Sequence, residues 1–163
     1  MFIATILFIA VLLLCLAVAV AFFGVGRGLF SIYRQSRTRR LAAQGTKALK
    51  ERQEAEALAW FLKAEASWSL NTHDGHRASL ESDLDFLTKI ADGIFKIVGL
   101  KSGPLRGDLQ GIIGEMKSLL HQHPYFSTDV RKTRPELLER WNAMCERLNV
   151  IRAELRTVGQ PIL

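Results

Sequence analysis

Cysteine is scarce in this 163-residue sequence, and the two cysteines are placed so as to exclude a structural disulfide. Cys15 lies inside an apolar N-terminal run, whereas Cys145 lies far along the chain in a candidate helix. The folded part therefore does not depend on an oxidising compartment. The neighbours Met144, Leu148 and Trp141 favour a core thiol at Cys145 over a catalytic one.

Motifs that carry catalysis or bind nucleotides are missing as well. The sequence has no P-loop, no G-x-S-x-G turn and no paired-cysteine motif, and G-V-G-R-G follows an apolar run instead of a strand. The net charge of +6 would suit a nucleic-acid partner, but no nucleic-acid motif accompanies it. We therefore expect no enzymatic activity, no cofactor and no nucleic-acid partner.

Charge is absent from Phe2 to Phe23, a run of 22 residues. A helix of about 20 apolar residues crosses the hydrocarbon layer of a bilayer, so this run predicts a transmembrane helix. A cleaved secretory signal is the alternative, because Ala19-Val20-Ala21 resembles a cleavage site. The run is too long for such a signal, however, and no Lys or Arg precedes it.

Basic residues crowd the C-terminal flank of the apolar run. They are Arg27, Arg34, Arg37, Arg39, Arg40, Lys47, Lys50 and Arg52. The positive-inside rule then predicts a cytoplasmic C-terminal domain and an external N-terminus, with a bacterial inner membrane as the expected location. Arg34, Arg37, Arg39 and Arg40 are candidates for contact with anionic lipid headgroups, at about 1 kcal/mol per charge. Alternatively, these arginines are only a topology signal.

Small residues form a stripe along the predicted anchor. Its members are Ala10, Ala17, Ala21, Gly24 and Gly28, at spacings that place them on one helix face. Such a face allows close packing against a partner helix or against a second copy. The alternative is that the glycines only loosen the chain where it leaves the membrane.

The rest of the sequence predicts an all-α domain. From Thr46 onward it is rich in Ala, Leu, Glu, Lys and Arg, with little β-branched clustering. Apolar spacing predicts five antiparallel helices in a bundle or hairpin stack, at about 38–50, 53–70, 78–98, 105–121 and 133–156. The predicted organisation is an anchor and membrane exit (1–33), a basic juxtamembrane segment (34–40), a helical domain (41–158) and a frayed tail (159–163).

The first predicted hairpin has small and aromatic residues at regular offsets. Gly45, Ala57, Phe61 and Ala64 have the mutual spacing of a tetratricopeptide repeat, and residues 41–69 resemble one such unit. The pattern departs from the family because Leu41, Gln44, Ala48 and Ser69 replace its large, Leu, aromatic and Pro residues. The resemblance implies a scaffold that binds proteins, and the unit does not recur, so the later helices are expected to complete its core.

The four histidines fall in two pairs. His73 and His76 precede the third predicted helix, and His121 and His123 follow the fourth. If those helices form an antiparallel hairpin, the pairs lie near one end and, with Asp74, are weak candidates for a zinc-like site. Ordinary polar loop histidines are the favoured alternative, so no metal is expected.

Trp60 and Trp68 lie eight residues apart, near one face of the second helix. They are candidates for contact with a partner if that face is not covered internally, and core packing is the alternative. We therefore expect a single-pass, membrane-anchored adaptor or accessory subunit that contacts the bilayer and other membrane or cytoplasmic proteins. The alternatives are a subunit of a homo-oligomeric pore or transporter and, more remotely, a metal-dependent sensor or hydrolase.

Overall fold

The computed structural model describes Cys15 and residues 33–70, 77–99, 103–123 and 134–159. Within these residues the protein has five helices and no strand, which confirms the predicted all-α class. Helix α1 covers 33–50, and the others are α2 (Glu54–Ser67), α3 (Arg77–Val98), α4 (Gly103–Gln122) and α5 (Pro135–Val158). The elements agree in number and order with those that the apolar spacing predicts.

The predicted anchor lies outside the described residues, apart from Cys15, and so does its whole stripe of small residues. None of the described helices is at once long enough and apolar enough to cross a bilayer. The chain divides into two compact units, Met1–Ser36 and Arg37–Leu163, and the packing reported below is that of the second unit.

Helices α1 and α2 form an antiparallel hairpin with a very short turn. The hydroxyls of Thr38 and Ser67 lie 2.9 Å apart, and Gly45 faces Phe61 one to two turns further along. At the turn, the N–H of Arg52 donates to Leu49 O and the N–H of Gln53 donates to Ala48 O. These two bonds make a Schellman motif. Its left-handed position, which favours glycine, is held here by Arg52 with φ of 61°.

Phe61 joins the hairpin to α3. A β-carbon on Gly45 would lie 3.1 Å from three ring carbons of Phe61, so the absence of a side chain lets α1 approach the ring. On the other side, a β-carbon on Gly93 would lie 2.5 Å from the Cζ atom of Phe61. The ring is therefore held between two glycine backbones, and three helices pack through a single aromatic side chain.

Helices α2 to α5 close into an up-and-down bundle. Helix α2 packs on α3, α3 on α4 and α4 on α5, and α5 returns to α2. The fully buried side chains are mostly Leu and Ile from α3 and α4, namely Leu80, Leu84, Leu87, Ile90, Ile94, Ile112 and Leu120. Burial of each such side chain contributes roughly 1.5–3 kcal/mol, so these two helices supply most of the core.

Three partly exposed polar contacts fix the register of α3 against α4. Arg106 Nη2 donates to Asp92 Oδ1 at 2.9 Å, Lys117 pairs with Asp85, and Arg77 contacts His121. Along these three contacts the residue number in α3 falls as the residue number in α4 rises, so the two helices are antiparallel. Exposed pairs of this kind contribute little stability, and their role is to set the alignment of the helices.

Two helix boundaries differ from the prediction. Helix α1 begins at residue 33, five residues earlier than predicted, so the basic segment is helical and belongs to α1. Arginine is a good helix former, whereas apolar spacing detects only helices with a buried face. Helix α2 ends at Ser67, three residues earlier than predicted, because Trp68 is extended with φ of −71° and ψ of 144°.

Candidate functional site

The two tryptophans that were candidates for partner contact have different surroundings. Trp68 is buried, and its Nε1 donates to the carbonyl oxygen of Asp83 at 2.9 Å. Trp60 is half-buried, with its Nε1 donating to Glu56 Oε1 at 3.2 Å and the Lys63 ammonium 4.6 Å from its ring centroid. Trp68 therefore contributes to the core, and Trp60 is the one of the pair with surface available for a partner.

A buried ionic cluster surrounds Trp68. Glu65 is fully buried, and its Oε1 accepts a hydrogen bond from Arg152 Nε at 2.6 Å. Arg152 also donates to the carbonyl oxygens of Glu65 and Trp68, and its guanidinium lies 4.6 Å from the centroid of the Trp68 ring. The second carboxylate oxygen lies 2.6 Å from Arg156 Nε in an ion pair that lacks hydrogen-bond alignment.

The geometry of this cluster is that of a structural connection. Each oxygen of Glu65 faces one guanidinium, so the buried negative charge is compensated from both sides. Arg152 is a residue of α5. Glu65 belongs to α2, and Trp68 is the first residue after the end of α2. The cluster therefore joins the two helices whose contact closes the bundle, and sequence reasoning did not identify it as a site.

The histidines are only partly within the described residues. His73 and His76 lie outside them, so the predicted four-histidine arrangement is not tested. His121 Nδ1 contacts Arg77 Nη2, and its Nε2 lies 3.8 Å from Glu81 Oε1. The start of α3 and the end of α4 thus lie side by side. Among the described side chains no group of three or more His, Cys, Asp or Glu could hold a metal ion.

The candidate lipid-contacting arginines lie at the start of α1. Arg34, Arg37, Arg39 and Arg40 are all exposed. The buried residues of the same helix begin at Thr38 and continue with Ala42, Gly45 and Ala48. Arg39 and Arg40 lie away from this buried face, whereas Arg34 is four residues before Thr38 and lies on the same side of the helix. The start of α1 is therefore basic and exposed, and the buried face of the helix begins at Thr38.

An open groove runs along the outside of α4 and α5, and we call it the α4–α5 groove. Its volume is about 460 Å³. One side is formed by Gly107 and Gly111 of α4, and the other by Val150, Ile151 and Glu154 of α5. Val150 is one of only two large apolar side chains in the described part of the chain that are strongly exposed, at 60%.

The glycines on this side of α4 have no packing role in the described fold. Nothing lies within 4 Å of a β-carbon built on Gly107, Gly111 or Gly114. A glycine inside a helix either simply weakens the helix or permits close contact with another helix. The described helices do not provide that contact.

The chain matches no family model, no curated protein and no solved structure. The comparisons therefore do not support the resemblance of residues 41–69 to a tetratricopeptide repeat. Function has to be inferred from the residues and surfaces described above.

Proposed function

We propose that the protein is a single-pass, membrane-anchored helical adaptor or accessory subunit that positions partner proteins at the membrane. The apolar run from Phe2 to Phe23 is the anchor, the N-terminus is outside, and the helical domain is in the cytoplasm, with a bacterial inner membrane as the proposed location. The domain provides the surface on which partners dock.

The observation that carries this proposal is the exposure of four arginines in the first turns of α1. Arg34, Arg37, Arg39 and Arg40 follow an uncharged run of 22 residues, and the structure leaves all four guanidinium groups on the surface. A basic segment within about ten residues of an apolar run suits both retention on the cytoplasmic side and contact with anionic headgroups.

The interior of the domain supports docking over catalysis. The buried polar groups Thr38, Glu65 and Arg152 make contacts that join helices, and an open groove lies on the described surface. The resemblance of the α1–α2 hairpin to a family of protein-binding repeats agrees with this proposal. The small-residue stripe of the anchor would add lateral packing within the membrane.

Membrane attachment and orientation are tested with the full-length protein in bacterial cells. We expect it to stay in the membrane fraction after alkaline carbonate washing, and a C-terminal alkaline phosphatase fusion to be inactive because the enzyme needs the external compartment. Replacement of Arg34, Arg37, Arg39 and Arg40 by Gln should raise the phosphatase activity, since the charge signal is lost.

The matched control replaces four exposed basic residues elsewhere, Lys63, Lys89, Lys96 and Arg140, and should leave the activity low. Recovery of the wild-type chain in the soluble fraction would overturn the proposal that the apolar run anchors it in the membrane. Mass measurement after isolation in mild detergent tests the adaptor role. A stoichiometric foreign protein supports it, and a homomeric ring would favour the pore or transporter subunit instead.

A further inference from the structure

Helix α4 contains glycines that weaken it, and no packing contact within the described fold requires them. Gly107, Gly111 and Gly114 are spaced by four and three residues, so they share one face of the helix. That face is opposite the buried side that carries Leu109 and Met116. Each glycine inside a helix costs about 1 kcal/mol relative to alanine. An added β-carbon would meet nothing within 4 Å at any of the three, so close packing within the described chain does not explain them.

The groove beside these glycines has a shape that can accept a helix. Gly107 and Gly111 leave the α4 backbone accessible along one side, and Val150 presents an apolar side chain at 60% exposure on the other. Small residues let helix backbones approach each other closely, while an exposed apolar neighbour provides area to bury. A small molecule of similar volume would stay largely solvated in an open groove.

The charges of the groove select the occupant. Glu115 forms an ion pair with Arg147, and Arg147 Nη1 lies 2.9 Å from Glu115 Oε2. Asp108 and Glu154 also line the groove, are exposed, and have no ion-pair partner among the described residues. A chain of net charge +6 thus has a groove with two carboxylates that no cation of the described residues pairs. Charge complementarity therefore favours a partner with Lys or Arg.

We infer that the α4–α5 groove binds a helix of a partner protein that has basic residues flanking a small or apolar face. The glycines set how closely this helix approaches, Val150 provides apolar area, and Asp108 and Glu154 pair with its basic side chains. This inference rests on the proposed adaptor function and names the surface through which it operates.

The first measurement uses the full-length protein in detergent and a defined probe. The probe is a fluorescent, helix-forming peptide of Ala, Leu and Lys, and a matched peptide with Glu in place of Lys is the control. We expect fluorescence anisotropy to show binding of the basic peptide only. Gly111→Leu, which fills the groove, should weaken binding at least tenfold.

Charge variants test recognition separately from shape. Asp108→Asn and Glu154→Gln should each weaken binding of the basic peptide about threefold to tenfold and reduce its dependence on salt. Glu139→Gln near the start of α5 is the control with the same charge change, and Ala66→Leu on the exposed side of α2 places a leucine away from the groove. Both should leave binding unaltered. Equal binding of the acidic peptide, or an unchanged affinity in Gly111→Leu, would overturn the inference.

The second measurement identifies the natural occupant in native membranes. A photoreactive benzoylphenylalanine at Val150 should crosslink to a basic helical segment of another protein, and Gly111→Leu should abolish that crosslink. Crosslinking to lipid or to a second copy of this chain would overturn the assigned occupant.

The two proposals fail in different ways. A stoichiometric partner that is retained by Gly111→Leu and never crosslinks to position 150 would overturn the groove and leave the adaptor function standing. Isolation without any partner protein would overturn both. Since Gly111→Leu removes a helix-interior glycine without creating a clash at the β-carbon, we expect this variant to remain folded, and its far-UV circular dichroism should match that of the wild type.

Discussion

The ring of Phe61 ends against the backbone of Gly93, so closely that a β-carbon there would lie 2.5 Å from Cζ. Gly93→Ala forces the buried ring or a helix to move, which typically costs about 1–3 kcal/mol. The higher helix propensity of alanine stabilises the helix by about 1 kcal/mol. We expect a net loss of about 1 kcal/mol in the free energy of unfolding, measured by urea titration of the purified protein.

The same substitution at an open position is the control. Gly107→Ala meets no atom within 4 Å, so it should stabilise α4 by up to about 1 kcal/mol. Gly93→Ala should lower the free energy of unfolding and Gly107→Ala should raise it. This difference in sign distinguishes the effect of close packing from that of helix propensity. A higher urea midpoint for Gly93→Ala would contradict the packing described for Phe61.

The buried pair of Glu65 and Arg152 should be the most sensitive ionic contact in the domain. Arg152→Met removes one of the two guanidinium groups beside a fully buried carboxylate, and loss of one partner from such a pair typically costs about 3–5 kcal/mol. We expect a loss near the lower end of this range, since Arg156 remains. Thermal unfolding by circular dichroism gives the measurement.

Arg147→Met is the matched control on the same helix. Arg147 and Glu115 are about half exposed, so this change should cost under about 1 kcal/mol. Replacing both Glu65 and Arg152 by Met should cost less than the sum of the single changes, because no unpaired charge then remains buried. Equal losses for Arg152→Met and Arg147→Met would contradict the burial of the first pair.

Arg52 offers a stabilising change. Its φ of 61° places a residue with a β-carbon in the left-handed region, which costs roughly 1 kcal/mol relative to glycine. Arg52→Gly should therefore raise the free energy of unfolding by about 0.5–1 kcal/mol, after the greater freedom of the unfolded chain is subtracted. Arg52→Ala keeps the β-carbon and should give no gain. Equal stabilities for these two variants would argue against the Schellman motif between α1 and α2.

Fluorescence quenching distinguishes the three tryptophans. Trp68 and Trp141 are only 5% and 2% exposed, whereas Trp60 is half-buried at the surface. We expect acrylamide to quench mainly Trp60, so Trp60→Phe should remove most of the accessible emission and Trp68→Phe should leave it in place. The reverse result would place Trp68 on the surface and restore it as a candidate for partner contact.

Local patterns in the sequence account for much of the fold. The apolar spacing of α3 and α4 places both helices within two residues of their observed ends, because each buries a continuous stripe. The hairpin was recognisable because Gly45 and Phe61 have the spacing of two helices that cross closely. The early start of α1 was missed since arginines with no buried face give no periodic signal.

Long-range relationships were not predictable in the same way. The contact of Glu65 with Arg152 joins residues 87 positions apart, and charged residues are expected at the surface. One signal was present, because Glu65 falls between the buried positions Phe61 and Trp68, and Arg152 falls between Leu148 and Leu155. A charged residue in each of two apolar stripes indicates a buried pair, although spacing alone does not say which two charges meet.

The separation of 87 positions between Glu65 and Arg152 also imposes an order on synthesis. While the ribosome is still making α3 and α4, the carboxylate of Glu65 has no cation from α5 beside it, and the α2 surface that α5 covers is open to water. We expect stalled chains that stop before Pro135 to be cut by protease within α2, and chains that extend beyond Val158 to resist. The α1–α2 hairpin, made first, would thus reach its final stability only when α5 has been made.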